Sequence, residues 1–183
     1  MGLDIVEFVM GVEEAVGVCI PNDAAAAIAT PRMLVDYLHG RLPQSRGPRC
    51  LSQRAFYRVR RALADRLGLA RTALRPDTDL LAVLPAADGQ AVWAGVGDSL
   101  GFPCWPRARS DSWLARTFLH ARPRTLGEVA RYVATFSPAA LKPPGEGWSW
   151  DEVAAVVDGQ MQHHFAIRDY SLDDRFVQDL GLG

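Results

Sequence analysis

Two stretches at opposite ends of the chain decide the predicted fold: RFVQDLGLG at Arg175–Gly183 and GLDIVEFVMGVEE at Gly2–Glu14. The N-terminal stretch repeats valine every three residues, at Val6, Val9 and Val12, and places carboxylates on the rest of its surface. This is the pattern of an amphipathic helix. Because such a helix cannot bury its apolar face alone, we predict that the C-terminal segment docks on the N-terminal one. The docking would occur within one chain or, as a domain swap, between chains of a homo-oligomer.

Charge is segregated along this chain of 183 residues and net charge −1. Residues 1–40 carry 1 basic and 6 acidic side chains, residues 41–131 carry 16 and 7, and residues 132–183 carry 3 and 8. Both ends are therefore acidic and the middle is basic. A single acidic module interrupted by a basic insertion would have this distribution.

Helix signals are frequent, and no run of alternating β-branched residues indicates a strand, so the predicted fold class is all-α. Thr30 followed by Pro31 predicts a helix N-terminus. Two capping boxes predict further helices, and their residue pairs are Thr125 with Glu128 and Ser149 with Glu152. Residues 41–49 and 139–147 have the proline- and glycine-rich composition of linkers.

The sequence also repeats itself with a period of about 95 residues. TPRMLVDYL at residues 30–38 is similar to TLGEVARYV at residues 125–133, and an apolar triplet recurs, with Val59, Leu63 and Leu67 matching Val153, Val157 and Met161. We interpret the repeat as two helical bundles. The continuous bundle spans residues 50–138, and the split bundle combines three helices from residues 1–40 with one from residues 148–183.

The split bundle resembles the acyl carrier protein family when its ends are joined tail to head. The matching stretches are FVQDLG at residues 176–181, LDIVEFVMGVEE from Leu3, IPND at residues 20–23, and TPRMLVDYL. The resemblance implies two divergent carrier copies, one of them circularly permuted. It further implies a recognition helix whose acidic face meets partner enzymes of fatty-acid or polyketide-type pathways; the matching carboxylates are Asp4, Glu7, Glu13 and Glu14.

The family attaches 4'-phosphopantetheine to a serine in a stretch of the form DLGxDSLDxVE, and here that position is Gly2. Glycine has no hydroxyl to form the phosphodiester, and AADGQAVW, at the same place in the continuous bundle, has no serine either. We therefore expect a degenerate, non-enzymatic carrier that binds partner proteins without a cofactor. The alternatives are a functional carrier modified at Ser99, or a carrier truncated by a misplaced start or stop codon.

Ser99 belongs to GDSLGF at Gly97–Phe102, which imitates the attachment motif. The alignment places it near the end of a helix, where a helix-terminal hydroxyl is the simpler interpretation. The same letters resemble the nucleophile block of GDSL esterases, in which the serine follows a strand and a later Asp-x-x-His completes the catalytic group. The one Asp-x-x-His of this chain, Asp36 with His39, precedes Ser99 in the sequence and does not follow it, which argues against a hydrolase.

Nucleic-acid binding is a further alternative, since arginines recur on one predicted helix and the stretch around Trp105, Arg107, Arg109 and Trp113 mixes aromatic with charged residues. Those helical arginines are Arg54, Arg58, Arg61 and Arg66. The acidic ends would balance this basic middle, which favours pairing of the two bundles or docking to an enzyme.

The composition and the residue spacing argue against a membrane protein and against a metal-binding protein. No apolar run approaches the roughly 20 residues of a membrane span, and no leader pattern begins the chain, so we expect a soluble cytoplasmic protein. Cys19, Cys50 and Cys104 lack metal-ligand spacing and are expected to be free thiols. His163 and His164 are adjacent and point to different faces of a helix, so they do not predict a metal pair either.

Overall fold

The computed structural model describes residues 3–45, 47, 50–107 and 123–182. Over these residues it contains eight α-helices and two short 3₁₀ turns and no β-strand, which confirms the all-helical prediction. The helices are α1 (Leu3–Val16), α2 (Asn22–Ala27), α3 (Pro31–His39), α4 (Leu51–Leu67), α5 (Leu80–Val83), α6 (Gly89–Leu100), α7 (Leu126–Phe136) and α8 (Trp150–Phe165).

The predicted helix starts are confirmed by their capping hydrogen bonds. Thr30 Oγ1 accepts from the backbone N–H of Met33 ahead of α3. Both predicted capping boxes are present, at Thr125 before α7 and at Ser149 before α8. Each box satisfies backbone donors that the first helical turn cannot pair internally.

The chain divides into two compact units, Met1–Cys50 with Lys142–Gly183 and Leu51–Leu141. We call them the terminal unit and the central unit. The terminal unit carries 7 basic and 14 acidic residues and the central unit 13 and 7, so their net charges are −7 and +6. The acidic ends of the sequence therefore belong to one compact unit.

In the terminal unit, α8 packs against α1 and α3. Phe8 of α1 lies with its ring centroid 5.4 Å from that of Phe165 in α8 and 5.9 Å from that of Phe176 in the C-terminal segment. The Phe176 N–H donates to Ala29 O at 3.0 Å, which holds this segment near the start of α3. The buried apolar side chains on the three helices include Ile5, Val12, Leu34, Val35, Leu38, Val153, Val156, Val157 and Met161.

The two connectors that lead out of the terminal unit run side by side. Ser45 N–H donates to Trp148 O at 2.9 Å, and Trp148 N–H donates to Pro43 O at 2.6 Å. Gly147 is required in this arrangement, because a Cβ there would lie within 2.7 Å of the backbone of residues 43 and 44. Paired connectors bring both ends of the inserted chain together.

In the central unit, α4 packs against α6 and α7. Its core contains Trp93 of α6, whose indole N–H donates to Pro106 O at 2.7 Å. Trp105 lies beside it with ring centroids 4.6 Å apart. The other buried apolar residues of these helices include Val59, Leu63, Val96, Val129 and Val133.

Candidate functional site

One side of α1 combines exposed carboxylates with exposed apolar side chains. Asp4, Glu7 and Glu14 are exposed. Val6 and Met10, one helical turn apart, keep 40% and 60% of their surface accessible. We call these five residues the α1 face. Because Ile5, Phe8, Val12, Ala15 and Val16 are buried on the opposite side of the helix, packing in the terminal unit directs the α1 face outward.

Glu13, the fourth carboxylate assigned to the acidic surface, has a different environment. It is half-buried, and its Oε1 accepts a hydrogen bond from the backbone N–H of Ile20. Its carboxylate thus holds the turn that follows α1. Three carboxylates, not four, are exposed for an interaction.

His164 of α8 packs against α1, where its ring contacts Phe8 edge-on with the two ring centroids 6.3 Å apart. Burial lowers the pKa of this imidazole below its usual value, because the charged form loses hydration. The nearby carboxylates of Glu7 and Asp4 act in the opposite direction and offset part of the shift. The α1 face is thereby linked electrostatically to a titratable group at the α1–α8 contact.

Gly2, the residue at the family's attachment position, lies outside the described residues, as does most of the aromatic- and arginine-rich stretch that follows Trp105. The sequence alone establishes that position 2 has no hydroxyl.

Ser99 lies in the last turn of α6, where its Oγ donates to Val96 O at 2.8 Å. The helix ends at Leu100, and the next residue, Gly101, has a φ of +64°, the left-handed conformation that commonly terminates a helix. The side chain is exposed. The residues ahead of Ser99 are helical, so the strand that precedes an esterase nucleophile of this type is absent here.

The central unit contains a groove that the sequence does not predict, although its arginines are recognisable in the sequence. It has a volume of about 530 Å³ and lies between α4 and α6. Its charged and polar lining residues are Arg58, Arg61, Asp65, Arg66 and Ser99, and its apolar and small ones are Ala62, Gly95, Val96 and Leu100. The spacing of Arg58, Arg61 and Arg66 on one face of α4 was a sequence signal for it. The packing of α6 beside these arginines had no such signal in the sequence.

No metal site is indicated in the described parts of the chain, where no three histidine, cysteine, aspartate or glutamate side chains cluster. Cys19, Cys50 and Cys104 do not form disulfides. Among the described helices, none combines the length and the apolar character needed to cross a membrane.

Comparison with known proteins does not assign the chain to a family. No protein-family model matches the sequence, and no solved structure matches it significantly.

Proposed function

We propose that this protein is a degenerate acyl-carrier-like protein that acts by docking, through the α1 face, to carrier-recognising enzymes of a fatty-acid or polyketide-type pathway. It would work without catalysis and without a prosthetic group. The observation that carries the proposal is the composition of the α1 face. Its carboxylates lie on the same exposed side of the helix as Val6 and Met10, which the fold leaves accessible. Apolar contact area beside charged side chains is typical of a protein–protein interface.

Charge supports the same proposal. A terminal unit of net charge −7 attracts a basic partner surface over distances of about one Debye length, roughly 8–10 Å at physiological salt. The carboxylates then contribute mainly to the association rate and to the choice of partner, whereas Val6 and Met10 contribute buried area. The resemblance of LDIVEFVMGVEE to a carrier's recognition helix supplies the class of partner.

Binding to a purified carrier-recognising enzyme of such a pathway tests the proposal. Reversing the charges in Glu7→Lys with Glu14→Lys should raise the dissociation constant about tenfold, as loss of favourable contacts worth ~1.4 kcal/mol would. Asp77→Lys with Asp169→Lys is the matched control, because both carboxylates are exposed and lie elsewhere. That control should change binding less than about twofold. Equal losses in both variants would mean that net charge, and not the α1 face, directs binding.

The second candidate is a functional carrier whose arm is attached to Ser99, which is favoured by the exposure of that side chain. Intact-mass measurement after incubation with a phosphopantetheinyl transferase and coenzyme A separates the two. No mass gain agrees with the degenerate carrier. A gain of one phosphopantetheine that disappears in Ser99→Ala would replace the docking proposal with a working carrier.

A further inference from the structure

The groove between α4 and α6 has an unusual charge composition for a surface between two packed helices. Arg58, Arg61 and Arg66 line its α4 side, and Asp65 is its one acidic lining residue. Asp65 already has a neighbour, since its Oδ1 lies 4.0 Å from Arg71 Nη2. Among the residues that the structure describes, Arg61 and Arg66 have no ion pair. The groove therefore has an excess of positive charge that the fold does not neutralise.

Arg58 has a structural role at one end of the groove. Its Nη1 donates to Ala140 O at 2.6 Å, its Nη2 donates to Leu100 O at 3.3 Å, and its guanidinium lies 4.7 Å from the Phe102 ring centroid. These contacts fix one positive charge beside the end of α6. Arg61 and Arg66 are exposed, and within the described part of the chain no side-chain hydrogen bond ties either guanidinium, so their donors can meet another molecule.

The α6 side of the groove is made of small and apolar residues. Gly95 allows Arg66 to lie directly against this helix, since a Cβ at Gly95 would be 3.2 Å from Arg66 Nη2. Val96 and Leu100 form an apolar wall next to the cationic one, and Ser99 adds a hydroxyl. Positive charge on one wall and apolar surface on the other fit a ligand that has an anionic head and an apolar body.

We propose that this groove binds a small organic phosphate. Arg61 and Arg66 would donate charge-assisted hydrogen bonds to the phosphate oxygens, the interaction for which the planar guanidinium is best suited. The organic part would lie along Ala62, Val96 and Leu100. The volume of about 530 Å³ lies within the range of small-molecule sites, roughly 300–1,000 Å³. This site is independent of the α1 face and of the docking proposal.

Calorimetric titration of the full chain with phenyl phosphate, inorganic phosphate and phenol tests the site. Phenyl phosphate should bind saturably and more tightly than inorganic phosphate, because its ring covers the apolar wall, and phenol should not bind measurably. Arg61→Ala with Arg66→Ala should weaken phenyl phosphate at least about tenfold through the loss of charge-assisted hydrogen bonds. The matched control is Arg75→Ala with Arg131→Ala, which removes two exposed arginines of the same unit outside the groove.

A second variant, Leu100→Ala, tests the contribution of the apolar wall separately from that of the arginines. Leu100→Ala should reduce the preference for phenyl phosphate over inorganic phosphate while leaving inorganic phosphate binding unchanged, and circular dichroism should verify that every variant is folded. Absence of saturable phenyl phosphate binding by the wild-type chain would overturn the proposal. Equal weakening of phenyl phosphate binding in the Arg61→Ala/Arg66→Ala variant and in the Arg75→Ala/Arg131→Ala control would also overturn it. Binding of single-stranded DNA without phenyl phosphate binding, reduced alike in both pairs and steeply dependent on salt, would instead indicate a delocalised nucleic-acid surface.

Discussion

Lys142 and Glu152 form a buried ion pair that provides a sharp test of what stabilises the terminal unit. Lys142 Nζ lies 2.7 Å from Glu152 Oε2, with side-chain exposures of 4% and 2%. The same Oε2 accepts from Ser149 N–H at 2.9 Å as part of the capping box of α8. Lys142 also lies 3.9 Å from Glu146 and 4.8 Å from the Trp148 ring centroid. The pair thus joins the incoming connector to the start of α8.

Replacing Lys142 with Met leaves the Glu152 carboxylate buried with only the Ser149 N–H as its hydrogen-bond donor. Removing one partner of a buried pair costs about 3–5 kcal/mol, because an uncompensated charge remains in a poorly hydrated place. Glu152→Gln should cost less, since glutamine retains the capping hydrogen bond and Glu146 remains near the ammonium. The double variant removes both charges and should return to within about 1 kcal/mol of the wild type.

Urea denaturation followed by circular dichroism and tryptophan fluorescence measures the four free energies of unfolding in this double-mutant cycle. We expect a coupling of at least ~2 kcal/mol between the two sites. Arg168→Met is the control, because it removes an exposed cation of the same unit and should change stability by less than about 0.5 kcal/mol. A cost below ~1 kcal/mol for Lys142→Met, or additive effects in the cycle, would refute the argument that burial makes this pair interdependent.

Two further predictions concern pH and packing. Burial lowers the pKa of His164 in the folded state, so on acidification the imidazole is protonated at a higher pH in the unfolded state than in the folded state. The free energy of unfolding should therefore fall as pH drops below about 6.5. His164→Gln should flatten this slope in urea titrations at neutral and mildly acidic pH, and an unchanged slope would contradict the assignment of the pH dependence to His164. Gly97→Ala would place a Cβ within 2.8 Å of the Trp105 ring and should lower stability by about 1–3 kcal/mol. Gly95→Ala meets only the flexible end of an arginine and should be neutral or stabilising; similar melting temperatures for the two variants would contradict this difference.

The proposed sites were accessible to sequence reasoning to different degrees. The outward position of Glu7 and Glu14 follows from helical periodicity, because Phe8, Val12 and Val16 occupy the opposite side of the same helix. The valine repeat also predicted Val6 on that apolar side, whereas the structure leaves Val6 40% exposed. The role of Glu13 did not follow, since its partner is the backbone of Ile20, beyond the end of the helix. Helical periodicity indicates which side of a helix a residue occupies, but not which loop packs against that residue.

The sequence by itself determined the all-helical fold class and the starts of α3, α7 and α8. A capping box such as Thr125 with Glu128, or Ser149 with Glu152, joins residues three positions apart, so the interaction is complete within one helical turn. These elements depend on neighbours along the chain and could be derived without knowledge of the rest of the fold.

Only the tertiary structure decided the environments on which function depends. Lys142 and Glu152 lie in a segment with the composition of an exposed linker and its adjoining helix, yet packing beside Trp148 removes both charges from water. The arginines of α4 line a groove only because α6 packs beside them, with Gly95 at the contact with Arg66. Burial and charge excess result from the positions of residues that are distant in sequence, and the path of the intervening chain sets those positions.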